Sequence, residues 1–408
     1  MRRRQAMVEI ESLQTSSVLE QIARQAARQM LATALQQEAE AYIEAASHER
    51  DEHGRRMVVG NGLAQERSVQ STIGTITVRQ PRIDDKREGK KFSSAILPPF
   101  IRRTMAIDAI IPLLYLHGVS TVRMHEALKG IIGDAVGSLS PAVVTRIMES
   151  WQQQYKQFTH RRINRRYVYV WVDGIYTRVR TSYERPCMLV LIGCDEQGNK
   201  ELLAVSDGER ESELSWIATL TDLKQQGLAA PRLAIGDGAM GFWAAISKVY
   251  PSTNHQGCTV HAMRNALDKV PKRMQEDVKK MLNQIFQATS RADALDAFDD
   301  YEKALTKTHP KAVETIKRRL PMLLEYFNYP TEHWKSIRTT NVIESTFATI
   351  RRRSRQTNGN ASREAAVAMM FALAVNAQKT WRKIDGFNHI ADVLSGATFV
   401  DGELKQAA

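Results

Sequence analysis

Three acidic residues carry the chemistry open to this chain: Asp173 after Tyr-Val-Tyr-Val-Trp-Val, Asp237 in Ile-Gly-Asp-Gly, and Glu344 in Arg-Thr-Thr-Asn-Val-Ile-Glu-Ser. The first two end apolar, β-branched stretches with the pattern of strands. The third opens a helical stretch rich in arginine. Carboxylates so placed can meet at one point although they lie far apart in sequence. Meeting there, they could hold two magnesium ions, with manganese as a substitute. Two hard cations about 3.5–4 Å apart clamp the attacking and the leaving oxygen of a phosphodiester displacement. The pattern points to an enzyme that cuts and joins nucleic acid.

Each acid also has a plainer reading. Asp173-Gly174 and Asp237-Gly238 are strong turn signals. Asn341-Val-Ile-Glu344 has the spacing of an N-cap with a glutamate at the third helical position. The face of the following helix favours chemistry, because Glu344, Arg351 and Arg355 recur at seven and four residues, beside an apolar stripe of Ile343, Phe347 and Ile350. Arg351 falls about 10 Å down the axis from Glu344, one to two nucleotide steps. Forked guanidinium donors suit phosphate oxygens there. Arg338 and Arg352 join Arg351 and Arg355 as candidate DNA contacts. Trp334 is a candidate to stack on an unpaired base, with a core aromatic as the alternative.

Cys258-Thr-Val-His261, with His255 nearby, invites a zinc reading. A structural zinc needs four ligands, and no partner pair has a matching spacing. The preferred reading is a buried Cys258 and a polar His261 supporting the sheet near Asp237.

The elements that must position these groups follow the hydrophobic pattern. From Ser16 to about Ser47, Leu19, Ile22, Ala26 and Met30 step at helical intervals. Alternating segments around Arg67 and Gly74 read as short strands ending at Pro81. The loop with Lys86, Arg87, Lys90 and Lys91 is either a solvated linker or a DNA contact. Three helices are expected, at Met105 to His117, Thr121 to Ile132, and Pro141 to Phe158, the last opened by Ser140 before proline. They suit a helix-turn-helix, or a plain helical linker. Strands are then expected at Tyr167 to Asp173, Gly174 to Ser182, Cys187 to Cys194 and Lys200 to Val205. An amphipathic helix from Ser212 to Gln226 and a buried strand from Pro231 to Gly236 follow. Strands, then helix, then strand is the order of a ribonuclease-H-like fold. From Ala262 to about Tyr326 the pattern is wholly helical, an insertion before the third acid.

Composition agrees with a nucleic-acid partner. Fifty-seven Lys and Arg against forty-five Asp and Glu give a formal charge of +12 over 408 residues. Three cysteines make no disulfide framework, which suits a reducing interior. The basic N-terminus lacks the apolar stretch of a signal peptide, and no run reaches membrane-spanning length. A cytoplasmic protein without a membrane partner is expected.

With these residues in hand, the chain resembles the Mutator-type transposases of bacterial insertion sequences, whose Asp-Asp-Glu triad sits on a ribonuclease-H-like core. The resemblance runs through Gly-Thr-Ile-Thr-Val-Arg-Gln-Pro-Arg, Leu-His-Gly-Val-Ser-Thr, Val-Asp173-Gly, Glu-Ser-Glu-Leu-Ser-Trp216, Gly-Asp237-Gly, Cys258-Thr-Val-His261, and Ile-Arg-Thr-Thr-Asn-Val-Ile-Glu344 with Arg351 seven residues on. One departure is Val59-Gly-Asn-Gly, where such chains often carry Arg-Asn-Gly. The resemblance implies two magnesium ions on Asp173, Asp237 and Glu344, and binding of terminal inverted repeats through the N-terminal region. The expected partners are those repeats, target DNA, and further copies of the chain in a homodimer or higher homo-oligomer on DNA.

The expected fold is α/β: a ribonuclease-H-like catalytic core interrupted by an all-helical insertion and preceded by a mainly helical DNA-binding region. Its parts are 1–95, an N-terminal helix and short strands binding DNA ends; 96–160, a helix-turn-helix-like module; 161–261, the first part of the core; 262–335, the insertion; and 336–408, the final core helices and tail. The expected activity is strand cleavage that frees a 3′ hydroxyl, then attack of that hydroxyl on a second phosphodiester. A structure-selective nuclease without strand transfer and a domesticated DNA-binding regulator are the alternatives.

Overall fold

The computed structural model describes residues 2–99, 101, 104–116, 119, 127, 141–176, 187–208, 210–238, 240–344, 347 and 362–405. The chain divides into two compact units, Met1–Val144 and Thr145–Ala408.

In the first unit a long helix, α1 (Arg2–Ala45), precedes four strands, β1 (Val58–Leu63), β2 (Arg67–Ser71), β3 (Gly74–Val78) and β4 (Pro81–Asp85), and a helix, α2 (Met105–Leu116). β2 and β3 form a hairpin whose alternation turns Val69 and Val78 onto Leu35 and Leu97. β4 pairs with β1, so Pro81 opens a strand rather than ending one. As the first residue of a strand, proline sacrifices no ladder hydrogen bond. The apolar face expected on α1 is displaced. Leu19, Ile22 and Met30 are 62, 59 and 73% exposed, whereas Leu35 and Ala39 are buried. The hairpin tip meets α1 at a polar contact, Arg24 Nε donating to the Ile73 carbonyl, and the apolar core begins only beyond it.

Arg87, read from sequence as part of a solvated linker or a DNA contact, is ion-paired within the fold. Its guanidinium donates to Asp85 at 2.8 Å and to Glu49 at 2.9 Å, and the Tyr42 hydroxyl donates to the same Asp85 oxygen at 2.6 Å. The Asp85 side chain is only 2% exposed.

Of the three helices expected from 105 to 158, the first is α2 and the last is α3 (Pro141–Thr159). Thr121 to Ile132 lies outside the described residues, apart from residue 127. α3 sets Tyr155 and Phe158 against Phe371 of α12 (Arg363–Gln378), a helix capped by Ser362.

The second unit is built on a mixed five-stranded sheet: β5 (Tyr167–Tyr176), β6 (Cys187–Asp195), β7 (Lys200–Gly208), β8 (Leu233–Gly236) and β9 (Asn254–Gly257), in the order β7-β6-β5-β8-β9. β6 runs antiparallel to both β5 and β7, and β8 and β9 run parallel to β5. Parallel neighbours need crossover helices, and the chain supplies α4 (Glu213–Gln226) before β8 and α5 (Met240–Val249) before β9. Val170, Val172, Leu189 and Leu191 bury one face of the sheet under Trp216, Leu220, Phe242 and Ile246. Ser212 caps α4 and Gly227, at φ 109°, ends it.

Two strands differ from expectation. β5 runs straight through Asp173-Gly174, pairing Asp173 with Val190 and Gly174 with Leu189, so no turn forms there. Residues 177–186 of the expected second strand lie outside the described residues. β9 gave no signal because Asn-His-Gln-Gly lacks apolar alternation, and its parallel ladder to β8 holds it. After β9 come α6 (Thr259–Leu267), α7 (Gln275–Phe286), α8 (Arg291–Leu305), α9 (Pro310–Lys317) and α11 (Thr331–Ile337), with a one-turn α10 (Leu320–Leu323) between the last two. Among the described residues no helix is long and apolar enough to cross a membrane.

Replacing Arg87 with alanine leaves the buried Asp85 without its cation, and breaking one side of such a pair is costly. Hydrogen exchange of the β1 and β4 amides in the full chain is expected to accelerate, with β5 and β6 keeping their rates. Unchanged exchange in β4 would refute the anchoring role.

Candidate active site

The sheet register places the first two acids. β5 and β8 pair in parallel with Trp171 opposite Ile235, so two residues further on Asp173 and Asp237 stand at the same level of adjacent strands. Such strands lie about 4.8 Å apart. Each carboxylate accepts a backbone N–H from the glycine that follows it, Gly174 at 2.8 Å and Gly238. Asp237 is further fixed by the Trp243 indole, which donates to its carbonyl at 3.0 Å.

The third acid arrives from the far side of the helical insertion. β9 ends at Gly257, paired with Gly236, and the Cys258 N–H donates to the Gly236 carbonyl at 2.8 Å. α6 therefore starts beside Asp237, with His261 in its first turn. The backbone N–H and the hydroxyl of Thr259 both donate to the Arg338 carbonyl, docking the segment before Glu344 on the same spot. Thr340 then donates twice to the Cys258 sulfur at 3.3 Å, from its amide and its hydroxyl, and its hydroxyl also lies 3.1 Å from Glu344 Oε1.

Residues 341–344 are helical, and Ile343 and Glu344 give their N–H groups to the Thr340 carbonyl. Thr340, not Asn341, occupies the cap position, so the capping alternative for Glu344 fails. Its carboxylate turns instead to Thr340 and His261. Ile343 and Phe347 are fully buried.

His261 is the hub. Its Nδ1 lies 3.9 Å from Asp237 Oδ1 and its Nε2 lies 3.6 Å from Glu344 Oε1. The Cys258 sulfur beside it raises its pKa to about 9, burial opposes, and the charges of Asp237 and Glu344 add to the rise. The imidazole is therefore a cation at neutral pH. Burial pushes the Cys258 thiol up, but hydrogen bonds from His261 and Thr340 outweigh it and lower the pKa. Cys258, His261 and Glu344 offer ligand atoms within 4.8 Å of one another, the one such group among the described residues. The hydrogen bonds of Thr340 and His261 already account for the sulfur. His255 belongs elsewhere, 5.0 Å from the Trp243 ring.

Burial drives Asp173 from 3.8 to about 7; the Gly174 N–H and His261 oppose this, and Glu211 and Asp237 reinforce it. A carboxyl held back from ionising beside other acids marks a place short of positive charge, and its hard oxygen donors suit a hard divalent cation. Asp173, Asp237 and Glu344 offer oxygen donors of that kind.

The remaining sequence candidates divide. Trp334 is corrected to a core residue: it is 8% exposed, sits edge-on to Tyr326 and Phe327, and donates from its indole to the Tyr329 carbonyl. It has no open face for a base. Arg338 donates to the Phe286 carbonyl at 3.1 Å, so its guanidinium braces the insertion. Arg351, Arg352 and Arg355 lie outside the described residues. Two charged residues went unnoticed in sequence. Arg319 reaches from the insertion over Gly238, beside Asp237, with its Nη2 buried and unpartnered. Glu211 lies against Gly174. It was part of the Glu-Ser-Glu-Leu-Ser-Trp motif, but the pattern there read only as the start of a helix.

The family model for the transposase Mutator family matches residues 1–384. The chain belongs to that family. It is 42% identical over 301 residues to the transposase of insertion sequence element IS6120 from Mycolicibacterium smegmatis, covering 74% of this chain and 93% of the relative. The transposase of element IST2 from Acidithiobacillus ferrooxidans is 40% identical over 288 residues, covering 68% and 95%. That of ISRM5 from Rhizobium meliloti is 26% identical over 332 residues, covering 80% and 81%. The chain is thus a transposase of the insertion-sequence type, and the site above is the group of acids its sheet assembles.

In this transposase Asp173 sets a pH signature. A carboxyl raised from 3.8 to about 7 on folding contributes most to stability below its unfolded value, and the contribution is lost as pH rises through about 7. Without divalent metal, Asp173→Asn is therefore expected to gain on the wild type by about 1–3 kcal/mol between about pH 5 and pH 8. Urea unfolding in a chelator measures the gap, and a gap that stays constant with pH defeats the assignment.

Proposed function

We propose that this transposase binds the terminal inverted repeats of its insertion sequence, cuts at the element end and joins that end to target DNA, with Asp173, Asp237 and Glu344 holding two magnesium ions. The observation that carries the reading is the convergence of the three acids: the β5–β8 register sets Asp173 beside Asp237, and His261 links Asp237 to Glu344. The strand order, three antiparallel strands followed by two parallel ones with helical crossovers, supports a ribonuclease-H-like core.

The bound ions would supply Lewis-acid activation of the attacking oxygen and stabilisation of the leaving one. The chain's own residues do the rest. The glycine N–H groups hold the Asp173 and Asp237 carboxylates in place. Thr340 and His261 fix the Glu344 carboxylate. Water is the first nucleophile, breaking the P–O3′ bond to leave a 3′ hydroxyl and a 5′ phosphate; that hydroxyl then attacks a second phosphodiester at the same site and displaces the 3′ oxygen of the target strand. Residues 1–160 recognise the ends, and further copies of the chain bring two ends together on DNA.

Asp173→Asn, Asp237→Asn and Glu344→Gln are each expected to lower cleavage and joining on the order of 10²-fold or more while end binding persists, since affinity comes mainly from basic residues elsewhere. Any one of them joining ends at the wild-type rate would remove that residue from the triad.

The sequence places Arg351 on the Glu344 face of its helix and Arg353 about 200° away. Arg351→Ala should slow cleavage and flatten the salt dependence of DNA binding by about one phosphate's worth of counterion release, with Arg353→Ala as the tolerant control. Equal, wild-type-like cleavage by the two variants would place no DNA on that face.

A further inference from the structure

We propose that Arg319 is a further catalytic residue of this site, a phosphate-binding group that donates to a non-bridging oxygen of the phosphodiester brought to Asp237; this rests on the function proposed above. Its backbone is fixed at the ends of the two parallel strands. Arg319 stands between α9 and α10, where its N–H donates to the Ile316 carbonyl at 3.0 Å and its carbonyl accepts from the Leu323 N–H at 2.9 Å. The fully buried Gln256 of β9 ties this turn to the sheet. Its amide nitrogen donates to the Leu323 carbonyl at 3.0 Å, and its oxygen accepts from the Tyr326 N–H at 2.7 Å. Two glycines then make room for the guanidinium. A Cβ at Gly238, the residue after Asp237, would fall 2.6 Å from Nη1, and one at Gly257, the last residue of β9, would fall 3.3 Å from Nη2. Neither glycine takes a positive φ, so the missing side chains serve this approach and no turn.

What the guanidinium lacks is an acceptor. Nη2 is buried without a hydrogen-bond partner, the one cationic nitrogen in that condition among the described residues. The Gly257 carbonyl is taken by the Gln256 amide at 2.7 Å. Asp237 attracts Arg319 through space, but among the described residues the side chain makes no ion pair. A guanidinium keeps its proton even when buried, so donors held out of water with no acceptor are costly. A residue placed only to neutralise Asp237 would pair with it directly. A forked cation held beside a carboxylate, and not on it, is instead matched by an anion that comes to the same spot, and planar paired donors suit phosphate oxygens. The acids repel a phosphodiester, and Arg319 brings positive charge to it from the insertion, an element apart from the strands that carry Asp173 and Asp237.

The full-length protein, a duplex of the element's own end and Ca²⁺ in place of Mg²⁺ test the contact by binding alone. The duplex carries at the cleaved position either an ordinary phosphodiester or a neutral methylphosphonate, which lacks the charged oxygen. Arg319→Gln is expected to bind the ordinary duplex about fivefold or more weakly than wild type, with a salt dependence flatter by about one phosphate's worth of counterion release, and the neutral duplex equally well. With Mg²⁺, its single-turnover cleavage should fall on the order of 10²-fold. Arg319→Lys keeps the charge without the fork and should recover part of both losses, which holds the test open if the glutamine variant folds poorly. A glutamine variant that binds both duplexes like wild type, or loses the same factor on both, makes no contact with that phosphate and overturns the proposal. Asp237→Asn, run in parallel, separates the two readings. If it cleaves like wild type, the acid site falls and this proposal with it; if it is inactive while Arg319→Gln binds and cleaves like wild type, the acids stand and Arg319 only braces the insertion.

Discussion

Two carboxylates at the same level of adjacent parallel strands repel each other, and the surroundings of the site are arranged around that repulsion. Four features of the chain reduce it. Backbone N–H groups of Gly174 and Gly238 point at the two acids. Burial keeps Asp173 partly protonated near neutral pH. The His261 imidazolium stands between Asp237 and Glu344. The Arg319 guanidinium, brought in by the insertion, attracts Asp237 from above Gly238. Together these make a folded chain with this acid cluster tolerable.

The same hub solves a problem of chain connectivity. Glu344 follows a helical excursion that leaves the sheet at Thr259 and returns at Arg338, 79 residues later. Closing so long a loop costs little more entropy than closing one half its length, because the cost grows only with the logarithm of length. The closure is made where it matters. Thr259 holds Arg338, Cys258 accepts both donors of Thr340, and Glu344 is one helical turn beyond. Cys258 and His261 thus couple the position of the third acid to the sheet edge that carries the second.

Much of this was legible in the sequence because the signals were local. Strand, helix and strand around Asp173 and Asp237 follow from apolar period, and Ser212 and Gly227 mark the two ends of α4. Other features depend on contacts that no local pattern records. Asp173-Gly174 has the composition of a turn, yet pairing to Val190 and Leu189 keeps it in the strand, and a Cβ at the glycine would meet the Glu211 side chain. Trp334 sits in a charged stretch, but Tyr326 and Phe327 enclose it. β9 is too short and too polar to announce itself. The stripe on α1 obeys helical period, but period says which residues share a face and not where along the helix the partner strands lie.

The charge of the chain has two scales that oppose each other. Over its full length there is an excess of twelve positive charges, which favours approach to a polyanion. At the sheet edge the balance reverses, with Asp173, Asp237 and Glu344 around His261, and Arg319 beside Asp237. A phosphodiester brought to that edge meets like charge. Long-range attraction therefore has to be supplied by residues away from the acids, and the acids themselves become compatible with a phosphate only when positive charge is added between them. On the function proposed above, affinity for DNA and competence to act on it are set by different residues and separable by mutation.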